Sequence, residues 1–218
     1  MGSMWEISLG NSTSLPYQIY LSLSFWNTGL RGSIPQQIFT LSKLTFQSLS
    51  SNNLTDHFPL FLTNLTQLES FYIYQNLICG PIPKELGNFK NLQILDLRYN
   101  KLTRSIPSTM GLLTNLQYLD LSFNGISGSK VFKIRFVKNL SYLFHDSNHI
   151  NGSIPLEIGN MKSLIELKFS NNKIVGQIPS TLANCSLLNS LSLSHNYLTK
   201  TVPSGIRDLS LLIYVNLS

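Results

Sequence analysis

Charge is scarce in this chain: only 12% of its 218 residues are Asp, Glu, Lys or Arg, about half the usual share. The formal net charge is +6, but the basic residues are scattered. No Lys/Arg run forms a nucleic-acid track, and no nucleic acid is expected as a partner. Only two cysteines occur, Cys79 and Cys185, too few for a disulfide-dense secreted scaffold. No run of about 20 apolar residues offers a transmembrane helix. The opening Met1-Gly-Ser-Met-Trp-Glu6 lacks the positive region and apolar segment of a signal peptide, and Glu6 stands where a myristoylation signal needs Ser or Thr. A Gly-rich phosphate loop, a strand Lys, a catalytic Asp loop and a metal-binding Asp would mark a kinase, and none is present. No G-x-S-x-G elbow, zinc-protease helix or convergent carboxylate pair stands out either. The chain therefore reads as no enzyme, with no catalytic residue, metal or cofactor.

What the sequence does have is a period, and internal repeats are read before anything else. Pro35, Pro59, Pro83, Pro107, Pro155, Pro179 and Pro203 fall on one 24-residue grid whose single vacant slot holds Val131. Asn52, Asn76, Asn100, Asn124, Asn148, Asn172 and Asn196 stand seven residues before successive slots, with Thr28 in the first repeat. Leucines from Leu44 to Leu212 keep a third column, opened by Tyr20. Within a unit such as Leu92-Gln-Ile-Leu-Asp-Leu-Arg-Tyr-Asn100, Leu95 and Leu97 alternate with Ile94, Asp96 and Arg98. A period of two predicts a short strand with the leucines buried and the other three outward. Successive strands then stack as a parallel sheet, about 4.8 Å per repeat, in a right-handed coil. A column of Asn can satisfy backbone groups left unpaired where the chain turns. Gly32, Gly80, Gly128, Gly152 and Gly176 turn the chain, and Ile-Pro extends it after four of them.

This unit resembles the plant-specific leucine-rich repeat, L-x-x-L-x-L-x-x-N-x-L-x-G-x-I-P, of receptor-like kinases and receptor-like proteins. The wording Gly152-Ser-Ile-Pro-Leu-Glu-Ile-Gly159-Asn and Leu182-Ala-Asn-Cys185-Ser is similar to ectodomains of large plant receptor kinases, with the male-discoverer-interacting subgroup a candidate. The resemblance implies a leucine-rich-repeat solenoid of about eight full repeats and a partial ninth. Its parallel sheet would line the concave face, with short strands and 3-10 turns on the convex one. Residues 1–19 read as a weak or absent cap and residues 20–218 as the solenoid, cut off in the ninth repeat. Since a solenoid needs polar caps, the isolated chain is expected to dissolve poorly or to associate through its ends.

The grid assigns the remaining special residues. Cys185 falls where other repeats carry Leu41, Leu65 or Phe89, and Cys79 lies 106 residues away, about 20 Å along the stack. Two free thiols are expected, since a disulfide needs Cα atoms within about 7 Å. His145 takes the inward slot of Leu97 and Leu121, and with His57, His149 and His195 on other faces or distant repeats no zinc site is expected. Lys130 to Lys138 of the fifth repeat carries basic residues in place of Ile-Pro and reads first as a solvated face and only then as a basic outer patch for a partner.

The outward strand positions should carry function, because stacked repeats offer an extended concave surface. Asp96, Asp120, Ser50, Ser122, Ser170 and Ser194 recur there and read as default solvated residues. Departures from that default are Trp26, Tyr72, Tyr74, Arg98, Phe144, Asp146 and Lys168, with Tyr118 and Tyr142 one position round. Tyr72, Tyr74, Arg98, Tyr118, Tyr142, Phe144, Asp146 and Lys168 form the candidate ligand-binding face, aromatics and Arg being what binding hot spots favour. An extended peptide could lie against the rings while Arg98 takes a carboxylate. Strand aromatics also stack simply across a ladder.

The resemblance implies an extracellular recognition module at the plasma membrane face or in the apoplast. Its partners would be a peptide or protein ligand and a co-receptor kinase, with membrane attachment and any kinase lying in a parent protein. Some family members hold a peptide carboxylate with an Arg-x-Arg pair, where this chain has only Asp96-Leu97-Arg98. Seven glycosylation sequons, at Asn11, Asn53, Asn64, Asn139, Asn151, Asn184 and Asn216, agree with secretion. Two rival readings stand beside this one. The first is a secreted inhibitor of a pathogen cell-wall-degrading enzyme, similar to polygalacturonase-inhibiting proteins but without their cysteine-paired caps. The second is a truncated product with no independent role.

Overall fold

The computed structural model of this chain describes residues 21–59, 64–129, 137–199 and 201–218. The cap segment, Tyr20, Asn11 and the fifth-repeat run from Lys130 through Val131 to Phe136 lie outside the described residues.

Alternation within each repeat builds one long sheet. Nine short strands, from Leu21–Ser24 to Tyr214–Asn216, pair in parallel and strictly in chain order. From the third repeat on, partners are 24 residues apart, so that Tyr118, Tyr142, Glu166, Ser190 and Tyr214 lie side by side. The first pair of strands slips: Leu21 faces Leu44 but Ser22 faces Phe46. A second parallel sheet of six strands runs from Cys79–Pro81 to Tyr197–Leu198, and Arg31–Gly32 pairs with Asn53–Leu54. The remaining side carries 3-10 turns such as Gln36–Thr40, Ser108–Leu112 and Leu156–Asn160, and no α-helix occurs among the described residues.

Each of these 3-10 turns begins after a grid proline, because an extended proline sets the chain direction and its carbonyl accepts the first turn bond. The Ile158 N–H donates to the Pro155 carbonyl at 3.2 Å, and Pro107 accepts in the same way from Met110 at 3.1 Å. The glycine column works at the other bend. Gly152 has φ +83°, and a Cβ there would stand 2.7 Å from that of Ser129, so glycine answers both the left-handed backbone and the close approach. Asp56 and Arg104 occupy the same slot with φ +70° and +64°, conformations that cost a non-glycine residue about 1–2 kcal/mol.

The asparagine column is a complete hydrogen-bonding device. The Asn148 side-chain carbonyl accepts the Ile126 N–H at 3.0 Å, and its amide donates to the carbonyls of Leu121, His145 and Asp146 at 3.0 to 3.2 Å. Asn76 does the same for Leu54, Leu49, Ile73 and Tyr74. Backbone groups of two adjacent repeats are thereby satisfied inside the coil, where leaving each unpaired would cost about 1–3 kcal/mol.

Leu95, Leu119 and Leu167 from the strands, with Phe39, Phe71, Phe89 and Phe169, belong to one core cluster that runs from Leu23 to Leu209. Two polar residues take leucine slots in it. Gln47 and His145 are fully buried, and among the described residues the Gln47 amide and the His145 ring nitrogens have no hydrogen-bond partner of good geometry. His145 packs on Phe169, ring centroids 4.9 Å apart, and burial pulls its pKa down to about 4. Cys185 is buried as its slot predicts, its thiol 3.4 Å from the Ile158 carbonyl and pushed up to about 11 by desolvation. Cys79 is also a free thiol, with the His57 ring 4.0 Å away.

A candidate ligand-binding face on the long sheet

The outward face of the long sheet brings the eight candidate residues into one strip. Tyr72, Tyr118, Tyr142, Phe144 and Lys168 stand on strand positions whose direction follows from the pleat, and Tyr74, Arg98 and Asp146 stand two residues past the ends of their strands. Tyr118 and Tyr142 are cross-strand partners with ring centroids 6.0 Å apart. Phe144 meets Tyr118 edge-on at 5.6 Å and Tyr142 at 6.2 Å. The Arg98 guanidinium lies over the Tyr74 ring at 4.8 Å and the Lys168 ammonium over Phe144 at 4.6 Å, both within the reach of cation–π attraction. Tyr72 tilts against Phe46 at 5.6 Å. Asp146 follows two residues after Phe144, where its carboxylate accepts the Ser170 N–H at 2.6 Å. Trp26 is exposed in the first repeat, with the second repeat between it and this strip.

Two grooves divide the face. One, of about 510 Å³, is lined by Phe46, Tyr72, Tyr74, Asp96, Arg98 and Tyr118. The other, of about 690 Å³, is lined by Phe123, Asp146, Glu166 and Lys168 and by serines of the later repeats. Phe46 was legible in the sequence, since it holds the grid slot of Tyr118 and Tyr142. Tyr99 and Phe123 were also missed. They occupy the slot just before the ladder asparagine, at φ +53° and +56°, where other repeats carry Asn27, Ser51, Gln75 or Ser147. Both stay more than two-fifths exposed, and their rings stack at 4.3 Å and 8°. An aromatic in a column of small polar residues was the available signal.

The expectation that Asp96, Asp120 and the recurring serines are solvated is overturned. Asp96 and Asp120 are 2% and 3% exposed, and Ser50, Ser122, Ser170 and Ser194 are buried as well. Repeats stack so closely that larger neighbours roof over small outward residues, which then turn to the backbone. Asp96 and Asp120 accept the N–H groups of Arg98 and Ser122 at 3.2 and 2.9 Å, and Ser50 accepts that of Tyr74 at 3.1 Å. Arg98 lies across both acids, 3.5 Å from Asp96 and 3.4 Å from Asp120, so its charge is already answered within the sheet. Burial, reinforced by Asp120 and opposed by Arg98, pushes Asp96 up to about 7. Burial and Asp120 raise the Tyr118 phenol, whose hydroxyl donates to Asp120 at 3.4 Å.

The sequon asparagines lie mostly elsewhere. Asn53 and Asn151 sit on the short-strand side, and Asn64, Asn139 and Asn184 are exposed beyond it. Asn216 alone of those described faces outward on the long sheet, beside Ser192. Among the described residues no group of three or more His, Cys, Asp or Glu could hold a metal ion, and no helix is long and apolar enough to cross a membrane.

Known proteins agree with this geometry. The family of leucine rich repeats in two copies matches residues 90–132, and the single leucine rich repeat family matches residues 163–185 and 187–209. No curated protein sequence matches the chain significantly. Among solved structures, the plant peptide hormone receptor RGFR1 in complex with RGF2 is 35% identical with a TM-score of 0.86, over 88% of this chain and 31% of that one. The ectodomain of the Arabidopsis thaliana membrane receptor kinase GASSHO1/SCHENGEN3, in complex with Casparian strip integrity factor 2, is 32% identical with a TM-score of 0.84, over 87% of this chain and 23% of that one. A leucine-rich-repeat protein of Leptospira interrogans is 30% identical with a TM-score of 0.74, over 87% of this chain and 46% of that one. The chain thus spans about a third or less of the two plant receptors' length. It is a leucine-rich-repeat solenoid, similar in sequence and structure to the ectodomains of plant peptide-hormone receptors.

Proposed function

We propose that this chain is the ligand-recognition part of an extracellular plant receptor, and that it binds an extended peptide along the outward face of the long sheet. The observation that carries this reading is the run of half-buried side chains over four consecutive repeats, Tyr72 and Tyr74, then Arg98 over the Tyr74 ring, then Tyr118, then Tyr142 with Phe144. Rigid rings give contact area at low conformational cost, and hot spots are enriched in Tyr and Arg. An extended chain matches the strip in length, and no described sequon before Asn216 would place a glycan on it. One of the two plant receptors is described as a peptide hormone receptor in complex with RGF2 and the other as in complex with Casparian strip integrity factor 2, which supports a peptide ligand for this chain. Signalling, a co-receptor and a membrane anchor belong to the parent protein under this reading.

The test is selection from a displayed library of random twelve-residue peptides, followed by substitution. Replacing Tyr72, Arg98 and Phe144 together by Ala should reduce affinity for selected peptides by about a hundredfold or more, as hot-spot removal does, with unchanged circular dichroism. Peptides whose binding ignores the triple substitution would refute the reading.

A further inference from the structure

The ionisable groups of the described long-sheet face are unlike the rest of the chain. Against a formal net charge of +6 overall, this face sets Asp96, Asp120, Asp146 and Glu166 against Arg98 and Lys168. Both cations are already held. Arg98 bridges Asp96 and Asp120, and the Lys168 ammonium lies 2.6 Å from Glu166 and over the Phe144 ring. Asp146 has no cation within ion-pair distance among the described residues; it accepts the Ser170 N–H and feels Lys168 only at longer range. It opens on the 690 Å³ groove that Phe123 also lines, and the Phe123 ring presents an exposed face backed by its stack with Tyr99.

We propose that the second groove is a pocket for a cationic side chain, Lys or Arg, of the bound peptide, with Asp146 as its counter-charge and the Phe123 ring as its cation–π wall. This deepens the peptide reading above and rests on it for the rest of the ligand. A carboxylate ligand is disfavoured by the same inventory, since its charge would meet an excess of acids and an arginine already paired twice. A cation instead gains from Asp146 directly and from the net negative Asp96–Arg98–Asp120 cluster on the preceding strands.

Proton linkage follows from the pocket. The groups facing Asp146 are Asp120 from the repeat before and Lys168 and Ser170 from the repeat after, and Glu166, His195 and Tyr214 line the same groove. Burial, reinforced by Asp120, raises Asp146 to about 6 against the Ser170 hydrogen bond and Lys168. The carboxylate is therefore charged at neutral pH and protonates on acidification, so cation binding weakens as pH falls through that value.

The experiment titrates Nα-acetyl-arginine amide and Nα-acetyl-glutamate amide into the full chain, watching the Phe123 and Asp146 backbone amides by NMR. Saturable shifts with the arginine probe alone are expected. They should fall about tenfold in affinity between about pH 7.5 and pH 5, one unit below the Asp146 value, and be lost in Asp146→Asn, with Phe123→Ala weakening them. Binding of the glutamate probe, no arginine shift at these amides, or unchanged binding in Asp146→Asn would each overturn the pocket. Library peptides that need Tyr72, Arg98 and Phe144 but carry no Lys or Arg would overturn the pocket and leave the peptide reading standing. A working arginine pocket with no selected peptides would do the reverse.

Discussion

The early and late halves of the long sheet share strand length and, from the third repeat on, register and asparagine ladder; they differ in what faces outward. Repeats two to six present Phe46, Tyr72, Tyr74, Arg98, Tyr118, Tyr142 and Phe144, while repeats seven and eight present Ser170, Ser190, Ser192 and Ser194 around the single pair Glu166–Lys168. In the serine half the hydroxyls bond one another: Ser170 meets Ser192 at 2.7 Å and Ser194 at 3.0 Å. In the aromatic half rings and charges cover the strands instead. The comparison separates two kinds of information. Inward columns build the coil, and outward positions are free to vary, so departures there reflect what the surface does.

If the two halves truly share one scaffold, breaking its ladder should cost the same in each. Asn76→Ala and Asn172→Ala each strand a backbone N–H and several carbonyls, and each should lower unfolding free energy by about 3 kcal/mol in urea titrations. A cost confined to one half would show that the ladder is not the common support.

The next effect sharpens the comparison from inside. Gln47 lies under the aromatic half and His145 at its boundary with the serine half, each buried in a leucine slot without a hydrogen-bond partner of good geometry among the described residues. Gln47→Leu and His145→Leu should each raise stability by about 1–3 kcal/mol by removing an unpaired polar group. For His145 the gain depends on pH. Its folded pKa, about 4, lies below the ordinary 6.5, so the unfolded chain binds the extra proton between those values. Stability is lost as pH falls from 6.5 towards 4, and the advantage of His145→Leu should grow over that window. A gain that does not change with pH would contradict burial as the cause.

The smallest expected effect concerns the bend. Arg104 holds a left-handed conformation, φ +64°, where Gly128 and Gly152 stand in later repeats. Arg104→Gly should raise the unfolding midpoint by an amount equal to about 1 kcal/mol. Loss of stability would mean that the Arg104 side chain contributes more than the backbone costs.

Much of this was readable in the sequence, because a solenoid repeats its local rules. The resemblance to the plant leucine-rich repeat implied the 3-10 turns, the alternation placed the strands, and the asparagine column announced its own hydrogen bonds. Cys185 and His145 were assigned to the core by slot alone. Tyr99 and Phe123 were not legible from the alternation, because they stand three residues past the strands Ile94–Asp96 and Tyr118–Asp120, where the period of two no longer applies. The burial of Asp96 and Asp120 escaped because single-repeat alternation says which way a side chain points, and not what covers it.

The sequence by itself determined the period, the direction of every strand side chain and the ladder that ties the repeats together, since all three follow from spacing within one chain. Only the tertiary structure decided the electrostatics of the face. Stacking brings residues 22 to 24 positions apart into contact, so Arg98 finds Asp120, Lys168 covers Phe144, and Asp146 takes a Ser170 hydrogen bond without an ion pair among the described residues. Identity of neighbours at ångström distances sets protonation and pairing, and no periodic pattern encodes which neighbours those will be.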